Sequence, residues 1–325
     1  MLLSRRTILT LTIAVPAAMG TLPASAQDPA TNYPGKPVHV IVGFAAGGGN
    51  DLFARLIGQK FSDNIGQPVI IENKPGAGTI IGTAAVATSP PDGYTLLMAT
   101  FSHAVNPALN SKLPYDTFRA FTPVALVARS FNVVVVNPNL PIHSVADLIA
   151  AAKAKPGSIN FGSYGIGTSA HLAGELFKSM AGVDIVHVPY KGAAAAITDL
   201  IGGQIEVMFT TVASVAAYIP SGQVRALAVT SAARSPVFPD LPTVAESGVP
   251  GYVAESWYGL YAPAGTPADV IERLNASVGR AVLSGALNSL EEVEGLTLVA
   301  GPPAELDKYV QGEAAGWRDL IKNRN

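Results

Sequence analysis

The feature that most restricts the fold is a unit that recurs along the chain: a short apolar strand, a glycine-rich turn, then a helix. Its first copy is Val38-His39-Val40-Ile41-Val42-Gly43-Phe44, which enters Ala45-Ala46-Gly47-Gly48-Gly49 and leads to a helix starting near Asn50 or Asp51. An apolar run without polar alternation is the pattern of a strand covered on both faces of a parallel sheet. Residues 68–72 predict a second strand, Pro75-Gly76-Ala77-Gly78 a turn, and Thr79 a cap for a small-residue helix reaching Val86. Ser89-Pro90-Pro91-Asp92-Gly93 predicts a turn before a strand over 94–99. Elements alternating at this spacing make an α/β chain with right-handed crossovers.

The pattern resumes after Phe121-Thr122-Pro123. Strands are predicted over 124–128 and 131–136, then a helix over 145–154, capped by Ser144 and stopped at Lys155-Pro156-Gly157. Strands over 158–162, 185–189, 205–209 and 224–229 alternate with helices over 168–181 and 192–201 and a short one ending at Ile219. Residues 231–250 carry several prolines and read as a connection. The tail offers strands over 256–261 and 296–299 and helices over 267–283 and 303–322, too few strands for a unit of its own. It is therefore expected to return to the first block. The expected division is a first lobe of residues 27–124 with 232–325 and a second lobe of residues 125–231. Two crossings, near Val124 and Ser231, would form a hinge of the kind that closes on ligands.

Residues 1–26 read as an export signal: Arg5 and Arg6, an apolar stretch from Ile8 to Leu22, and the cleavage pattern Ala24-Ser25-Ala26. The expected destination is the periplasm. Ser4-Arg5-Arg6-Thr7-Ile8-Leu9 also resembles a twin-arginine signal, so both export routes stay open. The chain has no cysteine, which excludes a lipoprotein anchor, disulfides and thiolate chemistry. With 49% hydrophobic and 14% charged residues it can bury a core for two domains. A net charge of −2 without any Lys/Arg run argues against nucleic acid. An anion would have to be attracted locally, by oriented N–H groups rather than by bulk field.

Two loops join a strand to a helix and are rich in glycine: Gly43 to Asp51 and Gly162 to His171. Glycine lets backbone approach a ligand, and a helix start presents N–H groups without intrahelical partners. Such a terminus suits an anion. The candidate ligand residues are Phe44, Ala46, Gly47, Gly48, Asn50 and Asp51 in the first loop. In the second they are Tyr164, Gly165, Gly167, Thr168, Ser169, Ala170 and His171. For His171, a ligand contact and a cap on its own helix are equally open. Gly165-Ile166-Gly167-Thr168-Ser169-Ala170 matches G-x-G-x-x-A, but it comes late in the chain and lacks an acid at the spacing that would hold a ribose. No nucleophile elbow and no H-E-x-x-H are present. His39 is expected to be a satisfied core residue. No catalytic residue, cofactor or metal is expected.

The segment Tyr164-Gly165-Ile166-Gly167-Thr168-Ser169-Ala170-His171-Leu172-Ala173-Gly174-Glu175 resembles the Bug, or TctC-type, family of binding proteins. So do His187-Val188-Pro189-Tyr190-Lys191-Gly192, Pro239-Asp240-Leu241-Pro242-Thr243 and Trp257 with Gly259, Ala262 and Pro263. The resemblance covers the whole chain after the signal. It implies a two-lobed type II periplasmic-binding fold, α/β, with two mixed sheets flanked by helices and a double-crossing hinge. It also implies a monomer that captures a small organic acid, mainly through backbone and water, for two integral membrane permease subunits. Ser102 and His103, at the end of a strand, and Tyr190 and Lys191 are further cleft residues on this basis. Thr210 stands where the family often has aspartate, which implies a ligand without an essential amino group. Ala45-Ala46 replaces the usual proline pair, losing the rigidity proline gives. Transport and presentation to a sensor kinase would use the same cleft and both remain open; an enzyme on this fold lacks a recognisable nucleophile.

Overall fold

The computed structural model describes residues 33–285, 287 and 295–322; the export signal expected over residues 1–26 lies outside them. Its strands are β1 (Val38–Val42), β2 (Val69–Asn73), β3 (Thr95–Thr100), β4 (Phe121–Val136), β5 (Asn160–Ser163), β6 (Val186–Pro189), β7 (Val207–Thr211), β8 (Arg225–Val229), β9 (Glu255–Pro263) and β10 (Thr297–Leu298). The helices are α1 (Gly49–Ile65), α2 (Ile80–Ala87), α3 (Phe101–Leu109), α4 (Val145–Ala154), α5 (Ser169–Ala181), α6 (Ala193–Ile201), α7 (Val212–Val215), α8 (Ala268–Leu283) and α9 (Pro303–Lys322).

The strands pair along one path, β2-β1-β3-β9-β4-β7-β5-β6, with β8 and β10 also on β4. β1 lies parallel between β2 and β3, and Val38, Val40 and Val42 are buried, as an unbroken apolar run requires. β5 lies parallel between β6 and β7 in the same manner. The antiparallel strands β9 and β4 join the two parallel groups. The result is an α/β molecule with mixed strand pairing on both sides of β4.

The two strands predicted over 124–128 and 131–136 are one strand of 16 residues. Nothing in Arg129-Ser130 breaks an extended chain, so β4 runs through both halves. Residues through Phe131 pair with β9, and Asn132 onwards pairs with β7. The change of partners thus falls inside β4, between Phe131 and Asn132, and not at Val124. The return crossing also moves. The sequence assigns residues 232–254 to the first half, but Val244, Val249 and Tyr252 share a core with Phe161 and Phe177, and the Tyr252 hydroxyl donates to the Ala173 carbonyl (2.8 Å). Thr230 ties the crossings together. Its hydroxyl lies 2.8 Å from both the Asn132 amide and the Asn132 carbonyl and 2.6 Å from the Ala254 carbonyl.

Ser144 caps α4 as predicted, accepting from the Asp147 amide (3.1 Å). Thr79 does not cap α2: it sits at φ +78 and its side chain makes no capping bond. The sequence pattern does not signal α3. This helix follows β3 without a loop, so a run of strand-like residues hides the boundary.

Candidate functional site

A cavity of about 770 Å³ opens between the halves. One wall comes from the β1–α1 loop, the β2–α2 loop and α3; the other comes from the β5–α5 and β6–α6 loops. These connections leave the C-terminal ends of parallel strands, where open α/β sheets bind ligands. Of the sequence candidates, Phe44, Tyr164, Gly165, Tyr190 and Lys191 line it. Lys191 is exposed and, among the described residues, is the one charged side chain on the wall.

Several anticipated backbone donors are already committed within the protein. The Gly47 amide donates to Asp51 Oδ2 (2.9 Å), the Gly165 amide to Ser163 Oγ (3.2 Å), and the Gly167 amide to His171 Nδ1 (3.2 Å). Thr168 is the N-cap of α5, its hydroxyl accepting from the His171 amide and donating to the Gly165 carbonyl. These residues shape the loops. His171 therefore holds the second loop rather than lining the cavity.

Asp51 is buried against protein, not aimed at a ligand. Burial would raise its pKa, but Arg55, the Gly47 amide and the Asn73 amide together hold the carboxyl below the usual range. Ala46, Gly48 and Asn50 do not line the cavity. The start of α1 faces α7 instead: a Cβ on Gly49 would meet Ser214 Oγ at 2.9 Å, and one on Gly48 would touch Ala193 at 3.8 Å. The expectation of α1 opening straight into the cleft is corrected by this cross-half packing.

Ser102 and His103 belong to the first turn of α3 and are buried in the first half. The His103 ring packs on Phe121 and Tyr261, with centroids 5.1 and 5.0 Å away. Burial lowers its pKa to about 4. Neither residue lines the cavity. Thr210, paired with Val133 on β7, is fully buried and does not line the cavity either. Ser169 and Ala170 are buried; Ser169 Oγ bonds the Tyr164 hydroxyl (2.9 Å) and reaches Asn132 Oδ1 (3.4 Å). His39 bonds Glu72 and is partly exposed, so it is satisfied but not core.

A third loop completes the site, and the sequence candidates do not include it. Pro75 to Ile80, with Asn106 and Asn110 of the α3 region, makes much of the first wall. Four consecutive residues hold positive φ: Gly76, Ala77, Gly78 and Thr79. For alanine and threonine this conformation is strained, and strain of this kind gathers at ligand clamps. The Asn106 amide fixes the Gly78 carbonyl (2.9 Å), and a Cβ on Gly78 would lie 2.4 Å from the Ile166 carbonyl oxygen across the cleft. The sequence does carry the signal: strand, Pro75-Gly76-Ala77-Gly78, helix is the same unit that marks the other two loops. Among the described residues, no cluster of three or more His, Asp or Glu could hold a metal ion.

The profile of the tripartite tricarboxylate transporter family receptor matches residues 53–325. Protein BugT of Bordetella pertussis is 37% identical over 94% of this chain and 94% of its own length. The periplasmic binding protein BugD superposes with a TM-score of 0.86 at 33% identity, covering 90% of this chain and 98% of its own. Rpa4515 of R. palustris, solved with adipate, superposes with a TM-score of 0.86 at 37% identity, covering 89% of this chain and 97% of its own.

Proposed function

The chain belongs to the tripartite tricarboxylate transporter receptor family, whose members are periplasmic solute-binding proteins, and from that premise we propose that it captures a small organic carboxylate in the cavity between its halves. The observation that carries this reading is the cavity itself. Four strand-to-helix loops from two halves surround it. Among the described residues its one charged side chain is the cation Lys191, and no carboxylate side chain lines it. A homologue of similar fold holds adipate.

In this reading the halves are lobes. The first comprises the strands paired around β1, β3 and β9; the second comprises those around β5 and β7, with residues 232–254 added to it. The two crossings, inside β4 and after residue 254, form the hinge, with Thr230 tying them together, and in the closed form Ile166 packs against Gly78 over the ligand. Lys191 and loop amides other than the committed ones of Gly47, Gly165 and Gly167 supply the attraction. Each net bond to a charged group contributes about 1.5–3 kcal/mol, so a few suffice for micromolar affinity after the entropy of association. The protein acts as a monomer and a binding protein, not an enzyme. It is exported by the signal at residues 1–26 and delivers its ligand to two integral membrane permease subunits. Among the described residues no helix is long and apolar enough to cross a membrane.

Calorimetric titration of the mature protein with adipate tests the binding step. Saturable one-site binding is expected, weakened about fivefold by Lys191→Ala, as suits a solvent-exposed charge. Absence of binding by adipate and every other carboxylate tried would contradict it. Uptake into proteoliposomes bearing the two membrane subunits, dependent on added receptor, tests delivery.

A further inference from the structure

We infer that the ligand is a carboxylate with an apolar body, an aromatic ring or a methylene chain, rather than a hydroxylated acid or a tricarboxylate. The inference rests on the carboxylate reading above and adds the chemistry of the rest of the molecule.

The cavity walls carry it. Phe44, Ile80, Tyr164, Ile166, Pro189 and Tyr190 present apolar surface from four different loops. The two tyrosines add little polarity, because their hydroxyls are engaged elsewhere. Tyr164 shares its hydroxyl bond with Ser169 (2.9 Å), and Tyr190 donates to Asp199 Oδ2 (2.7 Å). Burial and the neighbouring Asp199 push the Tyr190 phenol up to about 12, so it stays a neutral ring against the cavity at any working pH. The Asn106 amide nitrogen is likewise turned to protein, donating to the Gly78 carbonyl (2.9 Å) and the Thr79 hydroxyl (3.5 Å).

Charge points the same way. A citrate-like ligand would bring three carboxylates to a wall with a single cation, and the backbone donors at Gly47, Gly165 and Gly167 are already used by protein. A hydroxyl set against Phe44 or Ile166 would lose its bond to water without gaining another. A methylene there gains roughly fourfold in affinity. The volume of about 770 Å³ exceeds what a four-carbon acid fills and falls within the usual range for larger ligands.

The test is a calorimetric panel on the mature protein at fixed ionic strength: succinate, adipate, suberate, 3-phenylpropionate, malate, citrate and neutral 1,6-hexanediol. Affinity is expected to rise from succinate to adipate by about fourfold per methylene, with 3-phenylpropionate at least tenfold tighter than malate. Ile166→Ser changes an exposed side chain, so the fold should survive it. It is expected to narrow the gap between adipate and malate by fivefold or more. Citrate or malate binding as tightly as adipate and 3-phenylpropionate overturns the apolar body while leaving the carboxylate reading intact. So does an unchanged gap in Ile166→Ser. Binding of hexanediol alone, or of nothing, overturns both.

Discussion

His103 shows how a residue can carry consequences for stability without touching the ligand. Its ring is buried between Phe121 and Tyr261, and burial keeps it neutral down to about pH 4, whereas an unfolded histidine takes up a proton near 6.5. The folded pKa is the lower of the two. Its contribution is therefore fully present above about 6.5 and is lost as pH falls towards 4, with a slope of about 1.4 kcal/mol per pH unit. His187 has the same sign: burial, then the adjacent His171, lowers it to about 4. We expect His103→Phe to remove one proton's worth of slope from denaturation free energies between pH 6.5 and 4. An unchanged slope would mean that the ring protonates in the native state. The sequence suggests that Ser102 and His103 follow a strand. It does not show that the next residues wind into a helix and turn both side chains into the core, because only packing against Phe121 and Tyr261 decides that. Asp51 misleads for a related reason. A carboxylate in the first turn of a helix looks available, and only the fold brings Asn73 from β2 to occupy it.

At the scale of elements, four loops act together, and the strained one offers the sharpest prediction. Gly78 lies at φ +61, and a Cβ there would meet the Ile166 carbonyl at 2.4 Å. Gly78→Ala should lose tenfold or more in ligand affinity by wedging the loops apart. A Cβ on Gly66, at φ +80, would meet nothing within 4 Å. Gly66→Ala is the control, with a similar backbone cost of about 1 kcal/mol and unchanged affinity. Equal affinity losses in the two variants would remove the role assigned to the β2–α2 loop. Thr230 gives a second prediction. In Thr230→Val the Ala254 carbonyl and Asn132 backbone lose their hydroxyl partner at the crossing, and the loss should cost about 1–3 kcal/mol of unfolding free energy by urea titration. Alternation of strands and helices is legible in the sequence because the glycine-rich turns punctuate it. The continuity of β4 is not, since Arg129 and Ser130 are polar yet compatible with an extended chain and only their pairing with β9 reveals the strand.

For the whole molecule, binding and stability are one equilibrium. A ligand held only by the folded state should stabilise it by about 2.7 kcal/mol at a hundredfold excess over Kd, read as a rise in Tm. The return of the tail to pair with the first strands is legible in the sequence, but the placement of residues 232–254 is not. Residues 232–254 lack regular periodicity, and Tyr252 finds its place only when Ala173 is there to accept its hydroxyl. The central claim is that one acid is gripped by both halves at once. Its most direct test is the crystal structure of the mature protein grown with adipate. The predicted result is ligand density enclosed by Phe44, the 75–80 loop, Tyr164 and Lys191. Density confined to the smaller groove of about 470 Å³ beside Arg225 and Leu241, or contacts from one half alone, would contradict it.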